Sequence, residues 1–297
     1  MFEQMRKEKI AHIEEVLAKY LPREEGYAAK IMEAMNYSVL AGGKRLRPML
    51  MEETYRMFGG KEEVIEPFMA AQEMIHTYSL VHDDLPCMDN DEYRRGRKTT
   101  HTVYGEGMAV LAGDALLNYA FETACKAFSM TEDVRKAADA LTILAGKAGI
   151  NGMIGGQTAD IIAEDADRSD VTEELLMFIH ENKTAALIQS SMMIGAVLAG
   201  ADVKQINDIE KIGYNIGIAF QIQDDILDVT GTFEELGKPI GSDEGNNKVT
   251  CVTLMGLKKA KEEVSRLSNE AVALLNEMAC DHDFLEKLIL DLIHRNN

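Results

Sequence analysis

Two groups of aspartates carry the first chemical signal in this chain of 297 residues. Asp83, Asp84 and Asp89 end one apolar stretch, and Asp224, Asp225 and Asp228 end another. Carboxylates crowded in this way repel one another in a folded protein unless a cation sits among them. Hard divalent cations suit the task, because they take oxygen ligands and keep coordination positions open for phosphate. The pattern points to Mg²⁺ held by two carboxylate walls around one diphosphate. One acidic cluster alone is more often a solvated helix end, and the Asp89-Asn90-Asp91 run lacks the glycine of an EF-hand loop. Two clusters in one chain shift that balance.

Helical spacing arranges the neighbours of these acids. His76, Ser79 and Asp83 share one helix face, running from apolar depth to an acidic rim. Asp224 and Asp228 are i,i+4 neighbours and Gln221 lies one turn before Asp225, so four oxygen-bearing side chains are expected at one rim. Acids at a helix C-terminal end oppose the helix dipole, a cost that a bound cation removes.

Cations stand close by in sequence. Gly42-Gly43-Lys44-Arg45-Leu46-Arg47-Pro48 combines a glycine turn with three positive charges, and Arg94-Arg95-Gly96-Arg97-Lys98 follows the first acidic cluster. Arginine offers a planar fork that matches phosphate oxygens, and lysine a mobile point charge. Lys183-Thr184 opens a helix after Asn182, where backbone N–H groups assist an anion. Gly237 to Asp243, with Lys238 inside and Lys248 beyond, forms a cationic loop after the second cluster. Any one of these runs alone reads as a solubilising patch; together, in so acidic a chain, they read as phosphate pockets.

The formal charge of −19 argues against nonspecific binding to nucleic acid or attachment to an anionic membrane. Cys87, Cys125, Cys251 and Cys280 are scattered with no CxxC spacing, which reads as a reduced, cytoplasmic setting. The first residues, MFEQMRKEKI, lack the apolar core of a signal peptide, and the apolar stretch 185–200 is short for a membrane span. No Trp, five Pro and plentiful Ala, Met, Glu, Lys and Leu favour an all-α fold. Helices are expected over 3–19, 25–40, 45–58, 62–83, 105–129, 132–149, 150–163, 172–180, 182–199, 203–230, 250–278 and 282–294. Breaks fall at Pro22, Gly42-Gly43, Gly59-Gly60, the Pro86 loop and Gly231 to Gly245. With no linker and no solenoid repeat, one domain over 1–297 is the economical reading.

In this order, the strings GGKRLRP (42–48), HTYSLVHDDLPCMDND (76–91), RRG (94–96), GDALL (113–117), GGQ (155–157), KT (183–184), FQIQDDILD (220–228) and GKPIGSD (237–243) resemble the short-chain trans-prenyl diphosphate synthases. The likeness covers nearly the whole chain and is greatest to bacterial farnesyl diphosphate synthases. It implies an all-α, isoprenoid-synthase-type helical bundle around a deep central cavity, with the Asp motifs facing each other, in a homodimer. It implies several Mg²⁺ ions held by Asp83, Asp84, Asp89, Asp224, Asp225 and Asp228. Arg94, Lys183, Thr184, Gln221 and Lys238 would contact the allylic diphosphate, with Phe220 near its chain. Lys44, Arg47, His76 and Arg95 would grip isopentenyl diphosphate. Asp83, Asp84, Asp89, Arg94, Lys183, Asp224, Asp225 and Lys238 would carry catalysis.

The implied reaction is Mg²⁺-assisted ionisation of dimethylallyl or geranyl diphosphate and condensation with isopentenyl diphosphate, giving (2E,6E)-farnesyl diphosphate. Tyr78 and Ser79, one to two turns below Asp83, are the implied chain-length positions. Helical spacing puts Ser79 beneath Asp83 and Tyr78 toward the flank, where Tyr78 reads equally well as ordinary core. Geranylgeranyl diphosphate is the alternative product. A terpene cyclase would not need the Lys44, Arg47 and His76 pocket, and a noncatalytic subunit of a hetero-oligomeric synthase would have lost Asp-motif residues. Lys98 and Cys251 depart from the family pattern, standing where proline and tyrosine are common.

Overall fold

The computed structural model describes residues 2–230 and 249–294. The chain groups into two compact units, Met1–Leu141 and Thr142–Asn297. Both are helical, as composition and periodicity predict.

In the first unit, α1 (Phe2–Tyr20), α2 (Ala29–Val39), α3 (Leu46–Met57) and α6 (Glu106–Cys125) pack around α4 (Glu66–Asp83), with α5 (Thr100–Tyr104) short beside α6. Every residue of α4 from Pro67 to Ile75 is buried, the signature of a helix that is core on all sides. Pro67 sits in its first turn, where a missing N–H costs nothing. The helix stops at Asp83, so burial of its apolar body fixes where the first acids emerge.

Following α7 (Val134–Ala148), the second unit holds α8 (Met153–Asp165), α9 (Glu173–Ile179), a π-helical segment His180–Ala185, α10 (Ala186–Ala199) and α11 (Val203–Thr230). After the undescribed stretch come α12 (Cys251–Met255), α13 (Leu257–Asn276) and α14 (Asp283–His294). α10 is buried from Ala186 to Leu198 and is the core helix here. α11 lies against it through glycines one turn apart. A methyl on Gly213 would come within 2.8 Å of the Gln189 Cα, and one on Gly217 would run into Ala185. α13 covers α11 with a helical stripe of Ala260, Val264, Leu267, Ala271 and Leu275.

Several boundaries differ from expectation for local reasons. The 25–40 helix begins at Ala29, after a 3₁₀ turn at Gly26–Ala28. The 105–129 helix ends at Cys125 and tightens into a 3₁₀ turn. The expected 250–278 helix breaks at Gly256, which adopts φ +83°. The predicted 182–199 helix opens in π geometry, and Tyr93–Arg94 pairs with Arg97–Lys98 as a two-residue antiparallel hairpin that helical periodicity could not reveal. No described helix is long and apolar enough to cross a membrane.

Candidate active site

The first acidic cluster is built by a turn that closes on itself. Asp83 is half-buried and Asp84 is buried at the end of α4. Leu85 N–H donates to the His82 carbonyl at 3.1 Å, and Asp89 N–H returns to the Asp83 carbonyl at 2.9 Å. Asn90, at φ 55°, completes the reversal by donating to the Leu85 carbonyl. The Leu85–Met88 spacer therefore folds out and brings the exposed Asp89 back to the backbone of Asp83. One backbone closure thus returns the Asp89 main chain to that of Asp83.

The hairpin behind this turn delivers the arginines. Arg95 (φ 52°) and Gly96 (φ 73°) are its two central residues, the double positive φ that a tight hairpin of matching twist requires. Arg94 Nε donates to Asp84 Oδ1 at 2.6 Å, and its fork also reaches Asp91 at 3.5 Å. Burial pushes the Asp84 carboxyl up while Arg94 pulls against it. Arg94 is half-buried, and its bond to Asp84 outweighs the cost of that burial and holds the guanidinium above its ordinary value.

Arg95 crosses to the glycine turn before α3, donating to the Gly42 carbonyl. A methyl on Gly43 would sit 2.7 Å from the Arg95 Cζ, so only glycine permits this approach. Arg47 has a buried Nε with no hydrogen-bond partner. Burial lowers its pKa to about 10, with Glu73 opposing the fall and Arg95 adding to it. His76 is held well below the usual imidazole range by burial and by Arg47, Arg95 and Arg94, and is therefore neutral. Arg47, His76 and Arg95 are thus near enough to act on one another electrostatically, and Lys44, three residues before Arg47, is exposed.

In the second unit the π segment carries Lys183 and Thr184. Lys183 Nζ pairs with buried Asp160 of α8 at 2.5 Å, and the Thr184 hydroxyl donates to Gln221 Oε1 at 2.8 Å. A π turn is a costly departure from α geometry and recurs at functional sites. Gly156 of α8 makes room for it, since a methyl there would overlap the Lys183 backbone nitrogen. Gly156→Ala is expected to destabilise the protein by about 1–3 kcal/mol in urea unfolding. Gly146→Ala, whose added methyl meets open space on α7, should instead be neutral or stabilise by up to about 1 kcal/mol.

In the second acidic cluster, two of the four oxygen-bearing side chains are already engaged within the protein. Asp224 is half-buried, whereas Asp225 and Asp228 are buried. Asp225 Oδ2 accepts the Cys251 N–H at 2.7 Å, and Gln221 is engaged by Thr184. Cys251 Sγ lies 3.8 Å from His180 Nδ1, and burial together with the Asp225 charge pushes its thiol up, so it stays protonated. One Asp225 oxygen therefore anchors the start of α12. Phe220 is half-buried on the preceding turn. Lys238 and Lys248 lie outside the described residues.

Tyr78 is buried, its ring edge-on to His82 with centroids 5.8 Å apart. His82 Nε2 lies 3.1 Å from the Val110 carbonyl and occupies the space left by Gly113. Ser79 is half-buried and donates to the His76 carbonyl at 2.9 Å. Tyr78 accordingly shares a side of α4 with His82, which reaches the Val110 carbonyl of α6. Exposed Lys98 contributes its backbone carbonyl to Tyr37 Oη at 2.7 Å, a role open to any residue type.

The family model described as polyprenyl synthetase matches residues 28–288. The chain belongs to the polyprenyl synthetase family. It is 49% identical over 251 residues to a chloroplastic geranylgeranyl pyrophosphate synthase of Catharanthus roseus, covering 84% of this chain and 69% of that one. It is 44% identical over 263 residues to a farnesyl diphosphate synthase of Geobacillus stearothermophilus, covering 89% and 87%. A solved geranyltransferase of Helicobacter pylori, complexed with magnesium and isoprenyl diphosphate, superposes with a TM-score of 0.82 at 33% identity, covering 98% and 95%. The protein is a short-chain prenyltransferase with the isoprenoid-synthase helical fold.

Asp160, Glu73 and the His180–Cys251 pair were not singled out by sequence reasoning. Glu73 had a signal: a lone acid inside the apolar run of α4, three residues before His76. Asp160 likewise follows Gly156 by one turn on α8, on the face that meets the π segment.

Proposed function

We propose that this polyprenyl synthetase acts in the cytoplasm, condensing isopentenyl diphosphate with dimethylallyl or geranyl diphosphate to give (2E,6E)-farnesyl diphosphate. The two-diphosphate reading is supported by the cluster of Arg47, neutral His76 and Arg95, whose charges act on one another and which sits apart from the Arg94–Asp84 ion pair. A cyclase that ionises a single diphosphate has no use for it.

The residues fit Mg²⁺ on their donor chemistry. The acidic turn offers carboxylate oxygen, and the Asp89-to-Asp83 backbone closure returns the chain to the negative end of α4. Asp83, Asp84 and Asp89, with Asp224, Asp225 and Asp228, would hold several ions. Bound Mg²⁺ supplies charge stabilisation to the departing diphosphate. Arg94 and Lys183 are in place before substrate arrives and add positive charge to that leaving group, and Lys238 is assigned the same role from the sequence. For the first two this means exchanging Asp84 and Asp160 for phosphate oxygens. Thr184, Gln221 and Phe220 face the positive charge developing on the allylic carbons, through oxygen dipoles and an aromatic ring. Lys44, Arg47, His76 and Arg95 hold isopentenyl diphosphate so that its double bond meets the cation in position. A proton then leaves the adduct, with the released diphosphate as acceptor.

The pocket has a pH signature. Arg47 keeps its charge below about pH 10 and loses it above. Calorimetric affinity for isopentenyl diphosphate, measured without metal, should hold from pH 8 and decline above about pH 10. His76, already neutral, should add no step near its ordinary range.

Product length is proposed to depend on buried Tyr78. Tyr78→Ala should shift the main product from fifteen carbons to twenty or more, read by chromatography of the dephosphorylated alcohols; an unchanged fifteen-carbon distribution removes Tyr78 from the account. The second reading, geranylgeranyl diphosphate, is favoured by the 49% identical relative of that name, and a twenty-carbon product from the unmutated enzyme would establish it. Exposed Val103, Val110 and Leu111 on α5 and α6 support a homodimer, which sedimentation tests directly.

A further inference from the structure

Arg45 stands between two residues of the isopentenyl diphosphate pocket, yet its side chain is fully buried and turned away from solvent. Its Nε and Nη2 donate to both oxygens of Glu14 on α1, at 2.7 and 3.3 Å. Nη1 donates to Glu73 on α4 at 2.7 Å, and Nη2 to the Val39 carbonyl at the end of α2 at 2.7 Å. One guanidinium thus ties three helices to the start of α3. Its backbone is left-handed at φ 48°, a conformation that costs an L-residue with a Cβ and persists only where surrounding contacts enforce it.

The consequences reach the pocket by two routes. Lys44 precedes this strained residue directly, and Arg47 follows within the first turn of α3, so the Arg45 anchor sets where both begin. Glu73, fixed by Arg45, lies three residues before His76 on the same helix and is the acid whose charge acts on Arg47 and Arg95.

We infer that Arg45 is a positioning residue for isopentenyl diphosphate: through Glu14, Glu73 and Val39 it holds Lys44 and Arg47 in place and fixes Glu73. The inference deepens the proposed reaction and rests on it. Lysine cannot replace the planar fork, because one ammonium cannot serve two carboxylates and a carbonyl from these directions. A purely structural role would lower stability and affect both substrates alike.

The test uses the full-length enzyme as Arg45→Lys and Glu14→Gln, the latter altering a partner at the pocket's outer side with 35% of its side chain exposed. KM for each diphosphate, kcat and urea unfolding are measured together. Arg45→Lys should raise KM for isopentenyl diphosphate about tenfold and Glu14→Gln about threefold, with allylic KM and kcat within about twofold. Equal changes for both diphosphates, or lost stability with unchanged KM, overturn the inference. If Arg45→Lys does not fold, Glu14→Gln decides alone. If the unmutated enzyme elongates nothing, prenyl transfer itself fails. The inference is then judged by calorimetric affinity for inorganic diphosphate, which Glu14→Gln must weaken about threefold for it to stand.

Discussion

Asp83→Ala and Asp224→Ala should each lower kcat about a thousandfold at saturating substrates and Mg²⁺, with both proteins folded by circular dichroism and urea unfolding. The magnitude is what removing one preorganised charge-stabilising element costs, about 10²–10³ in rate, with the disruption of a metal site added. Asp83 is chosen because it stands half-buried where the closed turn returns Asp89 to it. Asp224 is chosen because it is the member of its cluster that is not buried. The parallel loss matters more than its size, since each cluster is proposed to serve the same ionisation step. Asp91→Ala supplies the contrast: Asp91 is exposed and reaches Arg94 only at 3.5 Å, so turnover should fall less than about fivefold. If either cluster's variant kept near-normal turnover, that cluster's assignment to metal binding would be wrong.

Arg47→Ala should raise KM for isopentenyl diphosphate about a hundredfold while leaving the allylic KM within about threefold. Hydrogen bonds from a charged donor are worth about 1.5–3 kcal/mol each, and this buried guanidinium has an Nε that no protein group satisfies. Its pKa is already lowered by burial, so it is charged at neutral pH only at a desolvation cost that an anion repays. Arg47→Lys should recover part of the loss, because a point charge restores attraction but not the fork. Isotope-labelled isopentenyl diphosphate separates the two KM values. Equal effects on both substrates would remove Arg47 from a substrate-specific pocket.

The two Asp clusters, the glycine turn before Arg47 and the RRG string were legible because each is a short run of telling residue types, whereas the hairpin that the RRG string forms was not foreseen. Gly96 supplies a positive φ, Gly43 admits Arg95, and the Leu85–Met88 spacer lets Asp89 return to Asp83. What stayed hidden depends on contacts between distant segments. Nothing near Asp225 in sequence shows that one of its oxygens is taken by the Cys251 N–H, because the two residues lie 26 positions apart in the chain. The π turn at His180–Ala185 is invisible to a 3.6-residue period, although Gly156 and Gly217, which make room for it and for Ala185, were in plain view. Arg45 was grouped with the phosphate cations by charge alone. The structure turns it inward, since Glu14 and Glu73 come from helices that only tertiary packing brings together.

The most direct measurement is product analysis after incubating the purified protein with Mg²⁺, labelled isopentenyl diphosphate and geranyl diphosphate. The account predicts a labelled fifteen-carbon allylic diphosphate with one inorganic diphosphate released per condensation, and none of either when Mg²⁺ is chelated. Release of diphosphate with the label left wholly in isopentenyl diphosphate, the allylic partner recovered as an alcohol or a cyclic hydrocarbon, would contradict it.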